Sequence, residues 1–176
     1  MFVMIIIIRN MDTFDCIATK LDIREYSNQK VPIEIREKIL EAARLTGTGL
    51  NTQHWRFIVI EDKDNLSKLA EDSTSGKWVT SANFAIIILT NPKYNYHMID
   101  AGRALQSMQL AAWNFGVGSG LFTGIREQNF RQDFNIPDQM NITIVVGFGY
   151  PAKKNLTGKR KNRVPINELV HYEIYR

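Results

Sequence analysis

A single soluble domain that mixes helices with a buried sheet is the fold class this sequence predicts, and three observations predict it. The chain has 176 residues, 44% of them hydrophobic and 23% charged. That is enough for one real core and too little for two comfortable ones. Residues 84–89, Phe84-Ala85-Ile86-Ile87-Ile88-Leu89, are apolar at every position, as in a strand covered on both faces and central in its sheet. Elsewhere apolar residues recur at i, i+3, i+4 and i+7, the period of helices with one buried face.

In chain order, residues 1–10 read as an extension to one domain spanning 11–176. The apolar run 2–8 is either an extra β-strand or sequence upstream of a start at Met11. It is far shorter than the roughly 18 residues needed to span a bilayer. It also lacks the leading basic residue and the cleavage site of a signal peptide. Asp12 can cap a first helix carrying Phe14, Ile17, Ala18 and Leu21 on one face. Pro32 opens a second, with Ile35, Ile39, Ala42 and Ala43 on one side, and Thr46-Gly47-Thr48-Gly49 breaks it. Residues 57–60 form a short strand, followed by a helix containing Leu66, Leu69 and Ala70.

The longest helix runs over about 98–115. Ala101, Leu105, Met108, Ala112 and Phe115 form one stripe on it, and Leu110 and Ala111 begin a second. A helix so apolar is buried on more than one side, at the domain centre, at a subunit interface, or both. Residues 141–147 supply another strand, centred on Ile142, Ile144, Val145 and Val146. At the end Val170, Tyr172 and Ile174 alternate with polar neighbours, as a terminal strand or an arm laid over a partner would.

Composition narrows the function classes. One cysteine, Cys16, forms no intramolecular disulfide and makes the cytoplasm the default compartment. The net charge is +4, from 22 basic and 18 acidic residues. Lys153, Lys154, Lys159, Arg160, Lys161 and Arg163 lie together without an acid among them, and without these the rest is slightly acidic. A nucleic-acid binder spreads its basic charge over a face and interleaves aromatics, and this segment has none. The segment reads as a local anion site or as a solvated basic loop.

The common catalytic motifs are missing. Gly116-Val117-Gly118-Ser119-Gly120 follows a helix rather than a strand and lacks the last glycine of a dinucleotide fingerprint. Gly158-Lys159 has no upstream glycine for a phosphate loop. His54, His97 and His171 stand isolated, with no metal-ligand spacing. Cys16 reads as a packed small hydrophobe rather than a nucleophile. No catalytic acid, base or metal ligand is nominated. A basic loop, glycine turns and no poised side chain suit an enzyme whose bound cofactor carries the chemistry.

Four segments, in order, resemble the FMN-dependent nitroreductase family over nearly the whole chain. Lys20-Leu21-Asp22-Ile23-Arg24-Glu25-Tyr26 is similar to the family's opening pattern, with Leu21 where a second basic residue is common and Asp22 in place of serine. Thr46-Gly47-Thr48-Gly49-Leu50-Asn51-Thr52-Gln53-His54-Trp55-Arg56-Phe57 resembles the stretch APSSxNxQPWxF. It departs from that stretch at Gly47, Thr48, Gly49 and His54. Asp100 to Gln106, Leu110 to Ala112, Gly116 to Gly118 and Leu121 to Gly124 look like the central helix and the turn after it. Gly149-Tyr150-Pro151 and Lys161-Asn162-Arg163-Val164-Pro165 are similar to the closing segment, including its K-x-R-x-P.

The resemblance implies an α+β fold, a mostly antiparallel sheet flanked by helices, in a homodimer with a swapped terminal extension. It implies FMN at the subunit interface and NAD(P)H as reductant. Lys20, Leu21, Asp22, Arg24, Lys161 and Arg163 would meet the phosphate, ribityl chain and pyrimidine edge, with Lys161 and Arg163 on the phosphate and Asp22 on a ribityl hydroxyl. Thr48, Gly49, Asn51 and Gln53 would reach the flavin held mainly by the other subunit, while Trp55 and Phe57 serve the core. Thr123 and Gly124 would place backbone N–H groups at the flavin N5–O4 edge, and Lys77 would contact the pyrimidine ring. The implied reaction is ping-pong transfer of a hydride from NAD(P)H to a nitroaromatic, quinone or similar small acceptor, with no nucleic acid or membrane involved. The alternative is a non-enzymatic protein that binds anions or nucleic acid through residues 153–163.

Overall fold

The computed structural model describes residues 11–153 and 161–175. The expected extension 1–10, and Lys154, Lys159 and Arg160 of the basic loop, lie outside the described residues. The helices are α1 (Thr13–Thr19), α2 (Ile33–Arg44), α3 (Lys63–Glu71), α4 (His97–Asn114) and α5 (Glu127–Asp133). The strands are β1 (Arg56–Ile60), β2 (Phe84–Thr90), β3 (Gly118–Phe122) and β4 (Asn141–Gly149). They form one antiparallel sheet in the order β1-β2-β4-β3. The α+β class with an antiparallel sheet is what the resemblance implies.

The apolar run in β2 explains the layers. Phe84, Ile86 and Ile88 point to one face and pack with Ile35, Ile39, Ala104, Met108 and Ala112 of α2 and α4. Ala85, Ile87 and Leu89 point to the other and pack with Leu66, Leu69 and Phe130 of α3 and α5. Every residue of β2 is buried, so each of its large side chains contributes roughly 1.5–3 kcal/mol of burial. Phe84 sits opposite Phe148 on β4, and their rings stack with centroids 4.9 Å apart.

Helix starts follow the capping chemistry. Asp12 Oδ1 accepts the Asp15 N–H at the head of α1, and Asp62 Oδ1 accepts those of Asp64 and Asn65 at the head of α3. At the end of α4, Gly116 takes a positive φ of 73° while its N–H and that of Val117 turn back onto Trp113 and Ala112. That reversal sends the chain straight into β3.

Several expectations need correction. Residues 116–118 and 121–124, expected as the turn after the central helix, contribute Gly118, Leu121 and Phe122 to β3, and α5, with Phe130 its one buried residue, has too little apolar pattern to be expected from sequence. Helix α1 ends at Thr19, so Leu21 lies beyond it, and Phe14 and Ile17 are exposed where a buried face was expected. The alternating tail forms no strand among the described residues. Val170, Tyr172 and Ile174 are exposed there.

Candidate functional site

Two distant segments converge at the end of α1. After Thr19 the chain becomes extended and lies along the outer edge of β3, where Ile23 N–H donates to Ser119 O at 2.8 Å. Buried Ile23 and Tyr26 anchor this segment, with the Tyr26 hydroxyl donating to Ile23 O and lying 2.9 Å from Gly147 O. Burial pushes that hydroxyl well above the ordinary tyrosine range, so it serves as a neutral strut. Lys20, Leu21 and Asp22 are thereby set at one end of β3. Gly118 and Gly120 make room: a Cβ on Gly118 would lie 2.6 Å from Ile23 Cγ1, and one on Gly120 would overlap the Ile23 carbonyl oxygen.

From the other end of the sequence, Lys161 reaches the same place and donates to Ile17 O at 2.5 Å, in the last turn of α1. Ile17, Lys20, Leu21, Asp22, Gln106, Lys161 and Arg163 line a cleft of about 490 Å³. Asp22 holds Lys20 at 2.5 Å, which leaves Lys161 and Arg163 without a carboxylate of equal proximity in the cleft. Burial, then the charges of Arg163 and Lys20, lower the Lys161 pKa, while Asp22 opposes them. Lys20, Lys161, Arg163 and the Gln106 amide supply the donors, and with the one carboxylate of Asp22 set against three cations the cleft suits an anion of about two charges, as an FMN phosphate would be.

At the far end of β3, Thr74 N–H donates to Gly124 O and Ser73 pairs with Ile125. Gly76 packs on Phe122 and leads into a helical turn beginning at Lys77. Lys77, Thr123 and Gly124 therefore share one end of the strand. Thr123 is four residues beyond Ser119, about 13 Å at the usual strand rise. Arg24 lies between, its Cζ 6.0 Å from the Trp78 ring centre. The Trp78 indole N–H is buried without a hydrogen-bond partner among the described residues.

Thr48, Gly49, Asn51 and Gln53 are not among the residues lining the cleft. They sit near the start of α4, where Gly49 N–H donates to Asp100 Oδ2 at 3.0 Å. His54 is not isolated: its Nε2 lies 3.2 Å from the same carboxylate oxygen. Trp55 is buried in the α2–α4 core, as expected. Cys16 is buried too, and burial, aided by Asp12 and Asp15, pushes its thiol up and away from nucleophilic use.

Sequence reasoning missed Trp78 and the coupling of His54 to Asp100. The glycines spaced by two at 118 and 120 were the available signal for the edge strand beneath residues 21–24. Asp100, a lone acid among the small and apolar residues of a helix's first turn, was the signal for a buried partner.

The sequence profile of the nitroreductase family matches residues 17–80 and 74–150. An Archaeoglobus fulgidus protein named for NADH dehydrogenase and NAD(P)H nitroreductase is 34% identical over 145 residues, 77% of this chain and 83% of its own length. An FMN-dependent nitroreductase of Clostridium difficile superposes with a TM-score of 0.83 at 25% identity, covering 91% of this chain and 98% of its own. Another Clostridium difficile nitroreductase family protein gives a TM-score of 0.83 at 27% identity, covering 94% of this chain and 100% of its own. With matches this extensive in both sequence and fold, the chain belongs to the nitroreductase family of oxidoreductases.

Proposed function

We propose that this protein is an NAD(P)H-dependent oxidoreductase that binds FMN and reduces nitroaromatics, quinones or similar small acceptors. The observation that carries the proposal is the convergence of Lys20, Lys161 and Arg163 on one cleft with Gln106. Lys161 and Arg163 hold the phosphate, and Lys20, steadied by Asp22, completes the positive field. Arg24 and Asp22 serve the polar middle of the cofactor, and Lys77, Thr123 and Gly124 its ring end. FMN, when bound, supplies the two-electron chemistry that links NAD(P)H to the acceptor. The cations offset the negative charge that reduction adds. Donor and acceptor use the same site in turn, a ping-pong cycle, and no side chain is assigned as acid or base.

The reading includes a homodimer. The neutral loop carrying Thr48, Gly49, Asn51 and Gln53 completes the site of a second copy. A groove between α2 and α4, lined in part by Leu45, Ile99 and Leu110, and the exposed tail residues Ile166 and Tyr172, supply apolar surface for that pairing. The protein works in the cytoplasm.

The test is reconstitution with FMN, sedimentation, and anaerobic reduction by NADH and by NADPH, followed by reoxidation with an acceptor panel. A yellow dimer that is bleached by either nicotinamide and recovers with an acceptor is the expected result. A colourless protein that takes up no FMN would return residues 153–163 to the anion-binding alternative.

A further inference from the structure

The loop joining α2 to β1 holds three non-glycine residues in the left-handed region: Leu50 (φ 51°), Asn51 (φ 54°) and Gln53 (φ 45°). Side chains rarely adopt that conformation, and such residues persist where their surroundings fix them. Leu50 is 91% exposed, so its own packing does not hold it. Both ends of the strained stretch meet at one oxygen. Asp100 Oδ2 accepts the Gly49 N–H at 3.0 Å on one side and faces His54 Nε2 at 3.2 Å on the other. His54 Nδ1 accepts the Asn91 N–H at 3.4 Å, so the ring proton sits on Nε2 and is donated to Asp100.

The clasp itself is enclosed. The side chains of His54 and Asp100 are each 2% exposed. The imidazole is packed among Trp55, Tyr94 and Tyr96. Asp100 stands in the first turn of α4, where a negative charge is favoured, and Arg103 lies 3.5 Å from its other oxygen. A carboxylate suits this point because one oxygen can take both N–H groups.

We propose that Asp100 and His54 are positioning residues: their clasp pre-forms the Gly49–Asn51 turn and Gln53 so that Asn51 and Gln53 stand ready for the neutral polar edges of the flavin ring in a second copy. This rests on the FMN reading above. The stretch from Thr46 to Gln53 contains no charged residue, which suits the neutral polar edges of the ring better than the phosphate. Holding the loop before the ligand arrives removes an ordering cost from binding.

The experiment measures FMN and riboflavin affinity for wild type, Asp100→Ala, His54→Phe, Asp100→Asn and Ile39→Val, with the melting temperature of each apoprotein. Asp100→Ala is expected to weaken both ligands by the same factor, about tenfold, and His54→Phe by a similar factor while keeping an aromatic ring in place. Asp100→Asn keeps an acceptor oxygen and recovers most of the affinity. Ile39→Val, a core change outside the loop and its clasp, lowers the melting temperature without that loss. Wild-type affinity in Asp100→Ala and His54→Phe, or losses no larger than those of Ile39→Val at matched stability, would overturn the proposal. So would a loss seen for FMN alone.

Hydrogen exchange at the Gly49 amide of the wild-type apoprotein provides a reading that depends on neither folding of the variants nor flavin. Exchange as slow as that of core amides supports the clasp, and exchange at the rate of an open loop refutes it. A wild type that binds no flavin, yet protects the Gly49 amide, would fail the FMN reading and leave the clasp standing.

Discussion

Replacing Lys161 or Arg163 by alanine probes the anion cleft at the two groups brought to it from the C-terminal segment. Each offers a phosphate a charge-assisted hydrogen bond worth roughly 1.5–3 kcal/mol. Arg163 is exposed and water screens the cleft, so the lower end of that range applies, and loss of either cation should weaken FMN binding about tenfold. Riboflavin, without a phosphate, should bind both variants as it binds wild type. Lys153 pairs with Glu25 at 3.3 Å and does not line the cleft, so Lys153→Ala should leave FMN affinity nearly unchanged.

The pH dependence has a definite sign. Lys161 is held below the ordinary lysine range by burial, then by Arg163 and Lys20, so its ammonium is disfavoured in the empty cleft. A bound phosphate favours the ammonium again. FMN affinity should therefore fall as pH rises through that lowered pKa, earlier than an unperturbed lysine would dictate, and Lys161→Ala should flatten the fall. The assay is flavin-fluorescence titration of the four proteins across alkaline pH. Equal FMN affinity in all four would refute the phosphate assignment. A loss in Lys153→Ala equal to that in Lys161→Ala would replace a defined site with diffuse electrostatics.

Two further substitutions test how the fold positions this cleft. Gly120→Ala places a methyl group against the Ile23 carbonyl and should cost about 1–3 kcal/mol, with a melting temperature lower by roughly 3–10 °C and weaker FMN binding; calorimetry showing no change would mean that residues 21–24 are not pressed onto β3. Ala112→Glu puts a charge at a fully buried position in the α2–α4 core. The cost should exceed about 3 kcal/mol, so the apoprotein should melt about 10 °C lower or fail to fold. An unchanged melting curve would contradict the burial of that helix face.

The sequence by itself determined the elements whose signal is local. The unbroken apolar run in residues 84–89 and the period of 3.6 around Ala101, Leu105, Met108 and Ala112 each mark one element, because a buried face must be apolar wherever it lies. The matched segments around Lys20, Asn51, Thr123 and Lys161 carried the family, since each preserves residue types at fixed spacing. Tertiary structure alone decided which of those segments meet. Lys20 and Lys161 share a cleft because Ile23 pins one segment to β3 and Tyr26 ties it to Gly147 of β4, while Lys161 Nζ bonds the last turn of α1, a contact between residues 144 positions apart. Strand β3 was illegible as a strand because glycines have no side-chain pattern, and its glycines are there for a neighbour that only folding brings near. The pairing of His54 with Asp100 was hidden for the same reason. Neither residue has a local feature that names its partner, and a buried carboxylate finds its donors through the packing of α4 against the loop before β1.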